Sequence, residues 1–200
     1  MNPKIEKLIN LFAKLPRVGG RGGQRIALSL LQDKTGRAVA LAAALNDAAA
    51  SIAPCPVCGA LTDNGVTRCE LCRDAARANG QLCIVRDLAD IWTIEKASVF
   101  HGRYHIIGGL LSGAAGTMPG DLNINTLPAR IADEDIHEII FALPNTVEGK
   151  TTQHYIMTVI GEDNTGVTFS ELASGVPLGG DLDYIDDGTL TLAFGGRKAL

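Results

Sequence analysis

The chain has 200 residues, is 46% hydrophobic but only 4% aromatic, and carries a net charge of −4. This is ample apolar material for a core, in one large domain or two to three small ones. No apolar run approaches the roughly 20 residues that cross a bilayer, and the opening MNPKIEKL lacks a signal-peptide core, so a reducing cytoplasm is the expected setting.

The charge is unevenly placed. Residues 1–37 hold eight basic side chains (Lys4, Lys7, Lys14, Arg17, Arg21, Arg25, Lys34, Arg37) against Glu6 and Asp33, a balance of +6 that leaves −10 for the remainder. A basic module on an acidic body suits a polyanion-binding face; a solvated helix face would look the same by charge alone.

Ile5, Leu8, Ile9, Phe12 and Leu15 recur at helical spacing, predicting an amphipathic helix over 4–15. Pro16 stops it, Val18, Gly19 and Gly20 form a turn, and Ile26, Ala27, Leu30 and Leu31 mark a second helical face. The segment between, LPRVGGRGGQRIA (15–27), resembles the helix–hairpin–helix motif of proteins that grip nucleic acid without reading its sequence. A Gly-rich hairpin aims unpaired helix N–H groups at a phosphate, and Arg21 and Arg25, one turn apart, reach neighbouring phosphates. The resemblance makes Arg17, Gly19, Arg21, Gln24 and Arg25 the expected DNA-contacting set. Such motifs usually carry glycine where Arg17 stands. Either the arginine bears the strain of a positive φ, about 1 kcal/mol or more, or the turn differs and Arg17 adds a phosphate contact.

Residues 36–52 predict an alanine-rich helix with Asp33 or Thr35 as N-cap. Cys55, Cys58, Cys69 and Cys72 follow as two C-x-x-C pairs, CPVC and CELC. Four thiolates from two tight turns fill a tetrahedral Zn²⁺ site and leave no open position, which marks a structural metal rather than a catalytic one. The spacer is shorter than the common four-cysteine template, but Pro56, Gly59, Asp63, Asn64 and Gly65 supply turn chemistry. Two disulfides or a redox C-x-x-C are the alternatives, although two redox motifs so close together have no evident use. Cys83, within LCIV, reads as a small buried hydrophobe.

From Gln81 onward short apolar runs, LCIV (82–85), YHII (104–107), EIIFAL (138–143) and VTFSELA (167–173), alternate with helical stretches at 88–98, 126–133 and 149–160. The alternation predicts an α/β domain with a parallel sheet. Gly149-Lys150-Thr151 offers only the end of a P-loop, because Pro144 stands where its first glycine must be. The other frame is a Toprim domain, whose carboxylates gather Mg²⁺. Here Arg86 occupies the first carboxylate position and Glu148 stands alone after the third strand. The four histidines, His101, His105, His137 and His154, fit no metal spacing and read as surface or strand-end polar residues. Trp92 reads as core, and Gly179 with Gly180 as a tight turn before a closing Asp186–Ala193 segment.

Taken together, the hairpin at 15–27, CPVCG…CELCRD (55–74), LCIVRDLADIWTIEKA, GRYHIIGGLLS (102–112), TVEGKTT (146–152) and LASGVPLGGDLDYIDDGTLTLA (172–193) resemble the RecR family of bacterial recombination mediators. The resemblance implies an α/β fold: helix–hairpin–helix (1–53), four-cysteine zinc finger (54–79), Toprim domain (80–174) and a C-terminal segment completing oligomer contacts (175–200). It implies a non-enzymatic DNA clamp or adaptor, a ring-like homotetramer or a dimer. Such a clamp acts with RecO, and with RecF in many bacteria, to load RecA on single-stranded DNA covered by SSB. One structural zinc on Cys55, Cys58, Cys69 and Cys72 is implied, and Asp87, Asp90, Glu95 and Glu148 match acidic positions associated with partner binding or weak Mg²⁺ binding. Arg86 in place of glutamate and Glu171 in place of a basic residue reverse charge and argue against Mg²⁺; Pro144-Asn145 reverses the usual Asn-Pro order. The rival class is a Toprim-type nuclease or primase-like enzyme, for which the absent D-x-D is the obstacle.

Overall fold

The computed structural model describes residues 2–33, 35–161, 166–173, 175–177, 179 and 181–197; Lys34 and Gly180 lie outside them. The chain divides into two compact units, Met1–Ile52 and Ala53–Leu200.

The first unit is helical: α1 (Pro3–Ala13), α2 (Gly19–Gln32) and α3 (Arg37–Ser51). Asn2 caps α1, its side-chain oxygen accepting from Lys4 N at 2.9 Å, and Pro3 occupies a position whose N–H would have no partner. α2 begins at Gly19, inside the segment expected to turn, and runs through four glycines, poor helix formers. Tertiary packing explains at least one of them. A Cβ on Gly23 would lie 2.7 Å from Ala13 N and 2.8 Å from Ile9 O, so glycine is what lets α1 and α2 touch. Gly36, not Thr35, stands at the N-cap of α3. Asp33 nevertheless closes that end, its carboxylate accepting from Gly36 N at 3.1 Å and from Arg37 N at 3.2 Å. The Arg37 amide and guanidinium hold the Asp33 carboxyl below its ordinary range.

In the second unit, β1 (Ile52–Pro54) and β2 (Leu61–Asp63) make a two-stranded ribbon, followed by the short α4 (Glu70–Arg73). The main sheet has the order β4-β3-β5-β6 and every pairing is parallel. Its strands are β3 (Gln81–Val85), β4 (Arg103–Ile106), β5 (Glu138–Ala142) and β6 (Thr168–Glu171), joined through α5 (Leu88–Ala97), α6 (Leu127–Asp133) and α7 (Val147–Ile160). These are the expected runs, their ends shifted by at most two residues. A 3₁₀ turn at Leu182–Tyr184 and α8 (Asp187–Gly195) follow, Asp186 capping α8 through Thr189 N at 2.9 Å.

Strand alternation sorts the sheet residues into two cores. Leu82, Ile84, Ile139 and Phe141 join Ile107, Ile124, Leu127 and Ile156 on one face. Cys83, Val85, Tyr104 and Ile106 join Ile91 and the four knuckle cysteines on the other. Cys83 is therefore a core residue, and burial pushes its thiol up to about 12. Two expectations fail here. α5 buries Ile91 and half-buries Leu88 and Ile94, which turns Trp92 outward at 65% exposure. His105 is fully buried, not a surface group.

Candidate nucleic-acid interface and metal centre

The hairpin is built by a turn at Leu15–Val18, closed by Val18 N donating to Leu15 O at 3.2 Å. Pro16 takes the second position and Arg17, with φ +64°, the third, the pattern of a type II turn, whose third residue is normally glycine. Of the two readings left open for Arg17, the positive φ holds. Gly19 follows at φ +63°. Val18 offers no side-chain cap to α2, so nothing from the cap residue competes for the N–H groups that a helix leaves unpaired in its first turn. Added Cβ atoms on Gly19 and Gly20 would meet nothing within 4 Å, so this backbone is open to close approach. Arg17, Gly19, Arg21, Gln24 and Arg25 are all exposed. Arg17 and Arg25 share the lining of an open depression of about 550 Å³ with Val18, Ile26 and Leu30; Gly19, Arg21 and Gln24 are not part of its lining. None of the three arginines has an acidic partner among the described residues.

The four cysteine sulfurs lie within 4.8 Å of one another and all four residues are buried, Cys58 Sγ and Cys69 Sγ being 3.5 Å apart. Four sulfurs at zinc-bond length around a tetrahedral ion would sit about 3.8 Å apart, so the cradle fits that geometry. Two backbone amides serve the sulfurs: Ala60 N to Cys58 Sγ at 3.5 Å and Cys69 N to Cys55 Sγ at 3.4 Å. A hydrogen bond from Cys58 pulls the Cys72 thiol down to about 6, and the positive charge of Arg130 adds to this. The knuckle is pinned to the sheet by Ile106 N donating to Cys58 O at 2.8 Å. Gly59, at φ +80°, fits against the Ile106 carbonyl, 3.1 Å from where a Cβ would be.

Beneath the knuckle lies a network that the sequence reading missed. Glu134, its side chain 2% exposed, pairs with Arg130 Nε at 3.2 Å, Arg103 Nη1 at 2.9 Å and Arg68 Nη1 at 3.2 Å. Burial alone would raise the Glu134 carboxyl, but Arg130 and Arg103 outweigh it and hold it low. Arg130 Nη1 reaches Tyr104 O at 2.7 Å, Val57 O at 3.4 Å and His105 Nδ1 at 3.1 Å. His105 Nε2 lies 2.6 Å from Asn123 O. A carbonyl only accepts, so Nε2 carries the proton and Nδ1 accepts from the guanidinium: the imidazole is neutral. Burial, chiefly, lowers its pKa to about 4. The available signal was Arg130 and Glu134 four apart in LPARIADE, with Arg130 set among apolar residues.

Among the described residues the acidic side chains of the Toprim frame form no metal-sized cluster. Asp87 and Asp90 form a capping box at the start of α5. Asp87 Oδ1 accepts from Ala89 N and Asp90 N, and Oδ2 from Arg86 Nε at 3.0 Å. Asp90 Oδ2 accepts from Arg86 N and Asp87 N, while Oδ1 faces Arg86 Nη2 at 3.7 Å. Burial would raise the Asp87 carboxyl; Arg86 and these amides hold it down instead. Glu95 accepts from Tyr104 Oη at 2.6 Å and from Arg77 Nη2 at 2.5 Å. Glu148 is exposed on α7 and lines a separate cavity of about 350 Å³ with Leu111, Met118 and Val147. A divalent ion does not fit Asp87 and Asp90, because a guanidinium already sits against both. Nor is there a P-loop: Thr146 Oγ1 takes the Gly149 N–H at 3.2 Å, a Cβ on Gly149 would stand 1.9 Å from Pro144 O, and Lys150 is paired with Glu171.

A helical hairpin, a cysteine knuckle and a four-stranded parallel sheet define a helix–hairpin–helix protein with a Toprim-type domain. Family models match accordingly: RecR, helix-hairpin-helix, over residues 5–49; Toprim domain over 80–173; and RecR, C-terminal, over 175–198. Recombination protein RecR of Rhodospirillum rubrum is 47% identical over 195 residues, covering 98% of this chain and 97% of its own. That of Paracoccus denitrificans is 46% identical over 197 residues, with 98% and 97% covered, and that of Acidiphilium cryptum 45% over 199, with 100% and 98%. The chain belongs to the RecR family. Among the described residues, no helix is long and apolar enough to cross a membrane.

Proposed function

We propose that this chain is a non-enzymatic DNA-binding adaptor of recombinational repair, working with RecO, and RecF where present, to load RecA on SSB-coated single-stranded gaps. The observation that carries the reading is the hairpin: three exposed arginines without acidic partners among the described residues, beside an open, glycine-lined helix start. Phosphate contacts of this kind give affinity without a base code. Arg17, Gly19, Arg21, Gln24 and Arg25 form the DNA-binding set, and the regions divide as 1–53, 54–79, 80–174 and 175–200. Cys55, Cys58, Cys69 and Cys72 hold one structural zinc, which would fix the knuckle against the sheet. Asp87, Asp90, Glu95 and Glu148 serve partner binding rather than metal chemistry, since three of them are held in caps and ion pairs.

Self-association into a ring-like homotetramer or a dimer is supported by apolar surface in both units. α3 buries none of its residues, Val39 and Leu45 being 58% and 60% exposed, and Tyr184 and Phe194 near the chain end are 90% and 70% exposed. Such surface marks interaction sites. The test is filter binding of single-stranded and gapped DNA across a salt series, with Arg21→Glu/Arg25→Glu beside the parent. The double variant is expected to bind at least about tenfold more weakly, with a shallower salt dependence and unchanged oligomer mass. Equal affinity removes the hairpin from the interface. Mg²⁺-dependent strand cleavage abolished by Glu148→Ala would establish the enzymatic class instead.

A further inference from the structure

We propose that Arg130 is the counter-charge of the cysteine cluster, and that with Glu134 it ties metal occupancy to the sheet beneath. The inference rests on the zinc reading above and extends it to a residue outside the four ligands. Charge balance carries it. Arg130, Arg103 and Glu134 have side chains 5%, 12% and 2% exposed, and His105 beside them is neutral. Two buried guanidiniums thus share one buried carboxylate, leaving a surplus positive charge inside the unit; the third arginine on Glu134, Arg68, is 41% exposed and solvated. Uncompensated buried charge is strongly unfavourable.

The compensation lies next door. Four thiolates on a divalent ion sum to two negative charges, met at the site by backbone amides such as Ala60 N and Cys69 N, which carry no full charge. Arg130 faces that site: its Nη1 reaches the carbonyl of Val57, between Cys55 and Cys58, at 3.4 Å. Its Nη2 is buried and has no hydrogen-bond partner among the described residues. Arg103 has an unpartnered Nε of its own but, among the described residues, no hydrogen bond or ion pair to the knuckle, which makes it the natural control. Loading the knuckle therefore satisfies Arg130 electrostatically, and Arg130 passes the constraint to Tyr104 O, His105 and Glu134. Beside the backbone pin from Ile106 to Cys58, this side chain couples the metal to the sheet.

The experiment measures zinc content of the full-length protein and the rate of zinc transfer to a chromogenic chelator. Parent protein without zinc would sink the metal reading itself, separately from this inference. With zinc present, Arg130→Met is expected to release it about tenfold faster or more. Arg130→Lys, which keeps the charge, and Arg103→Met, which disturbs the same carboxylate, should stay within about threefold of the parent. Release from Arg130→Met at the parental rate overturns the proposal. So does equally fast release from Arg103→Met or Arg130→Lys, which would make the effect one of packing. Should Arg130→Met fail to fold, Glu134→Gln decides: it frees the guanidinium for the thiolates, so release should be unchanged or slower, and faster release overturns the proposal.

Discussion

The two units use arginine in opposite ways. In Met1–Ile52, Arg17, Arg21 and Arg25 are exposed and unpaired among the described residues, around a hairpin whose unit buries little beyond Gly23 and Ala27. In Ala53–Leu200, Arg77, Arg103 and Arg130 are drawn inward and paired with Glu95 and Glu134. An unpaired surface guanidinium waits for an outside anion, whereas a buried one is answered from within the protein and fixes architecture. Arg86 shows the second use at the surface, where it occupies the carboxylates of Asp87 and Asp90. The same side chain therefore marks the proposed interface in one unit and sits against an acidic pair in the other.

The largest expected effect tests the architectural side. Cys58→Ser/Cys72→Ser should lose the zinc and destabilise the second unit by on the order of 5 kcal/mol or more. Metal analysis and calorimetry check this, and an unchanged transition would show the knuckle to be ornamental to the core. Next comes pH. His105 has a folded pKa near 4 against 6.5 for the free side chain, so the unfolded chain binds more protons between those values. Its stabilisation is complete above about pH 6.5 and is lost as pH falls towards 4, a change of about 3 kcal/mol at most. His105→Gln should flatten that part of the Tm–pH curve; an identical slope would relocate the effect. Third is the affinity loss of Arg21→Glu/Arg25→Glu, which should leave the second unit's transition where it was. The smallest effect separates strain from contact: Arg17→Gly should stabilise the hairpin unit by about 1 kcal/mol while weakening DNA binding by a few fold. A variant that gains stability without losing affinity would mark Arg17 as no contact.

Much of the fold was legible because its signals are local. Short apolar runs became β3 to β6, helical stretches became α5 to α7, and the C-x-x-C pairs did gather. The hairpin was legible for the same reason: its glycines and arginines lie within 13 residues of sequence. What escaped was long-range. Arg130 meets Val57 across 73 positions and Tyr104 across 26, and no spacing rule connects them. Nor did the sequence show that Asp87 and Asp90 cap α5 while Glu95 pairs with Arg77. Trp92 was misplaced although Leu88, Ile91 and Ile94 already mark the buried side of α5, and Trp92 falls off that stripe.

Trp92 is also the chain's single tryptophan. At 65% exposure its indole emission belongs near that of the free amino acid in water even in the native state, so unfolding would move it little. Any partner that covers α5 would shift it to the blue. The protein thus carries its own optical probe, one that reports docking on the Toprim surface rather than the integrity of the core.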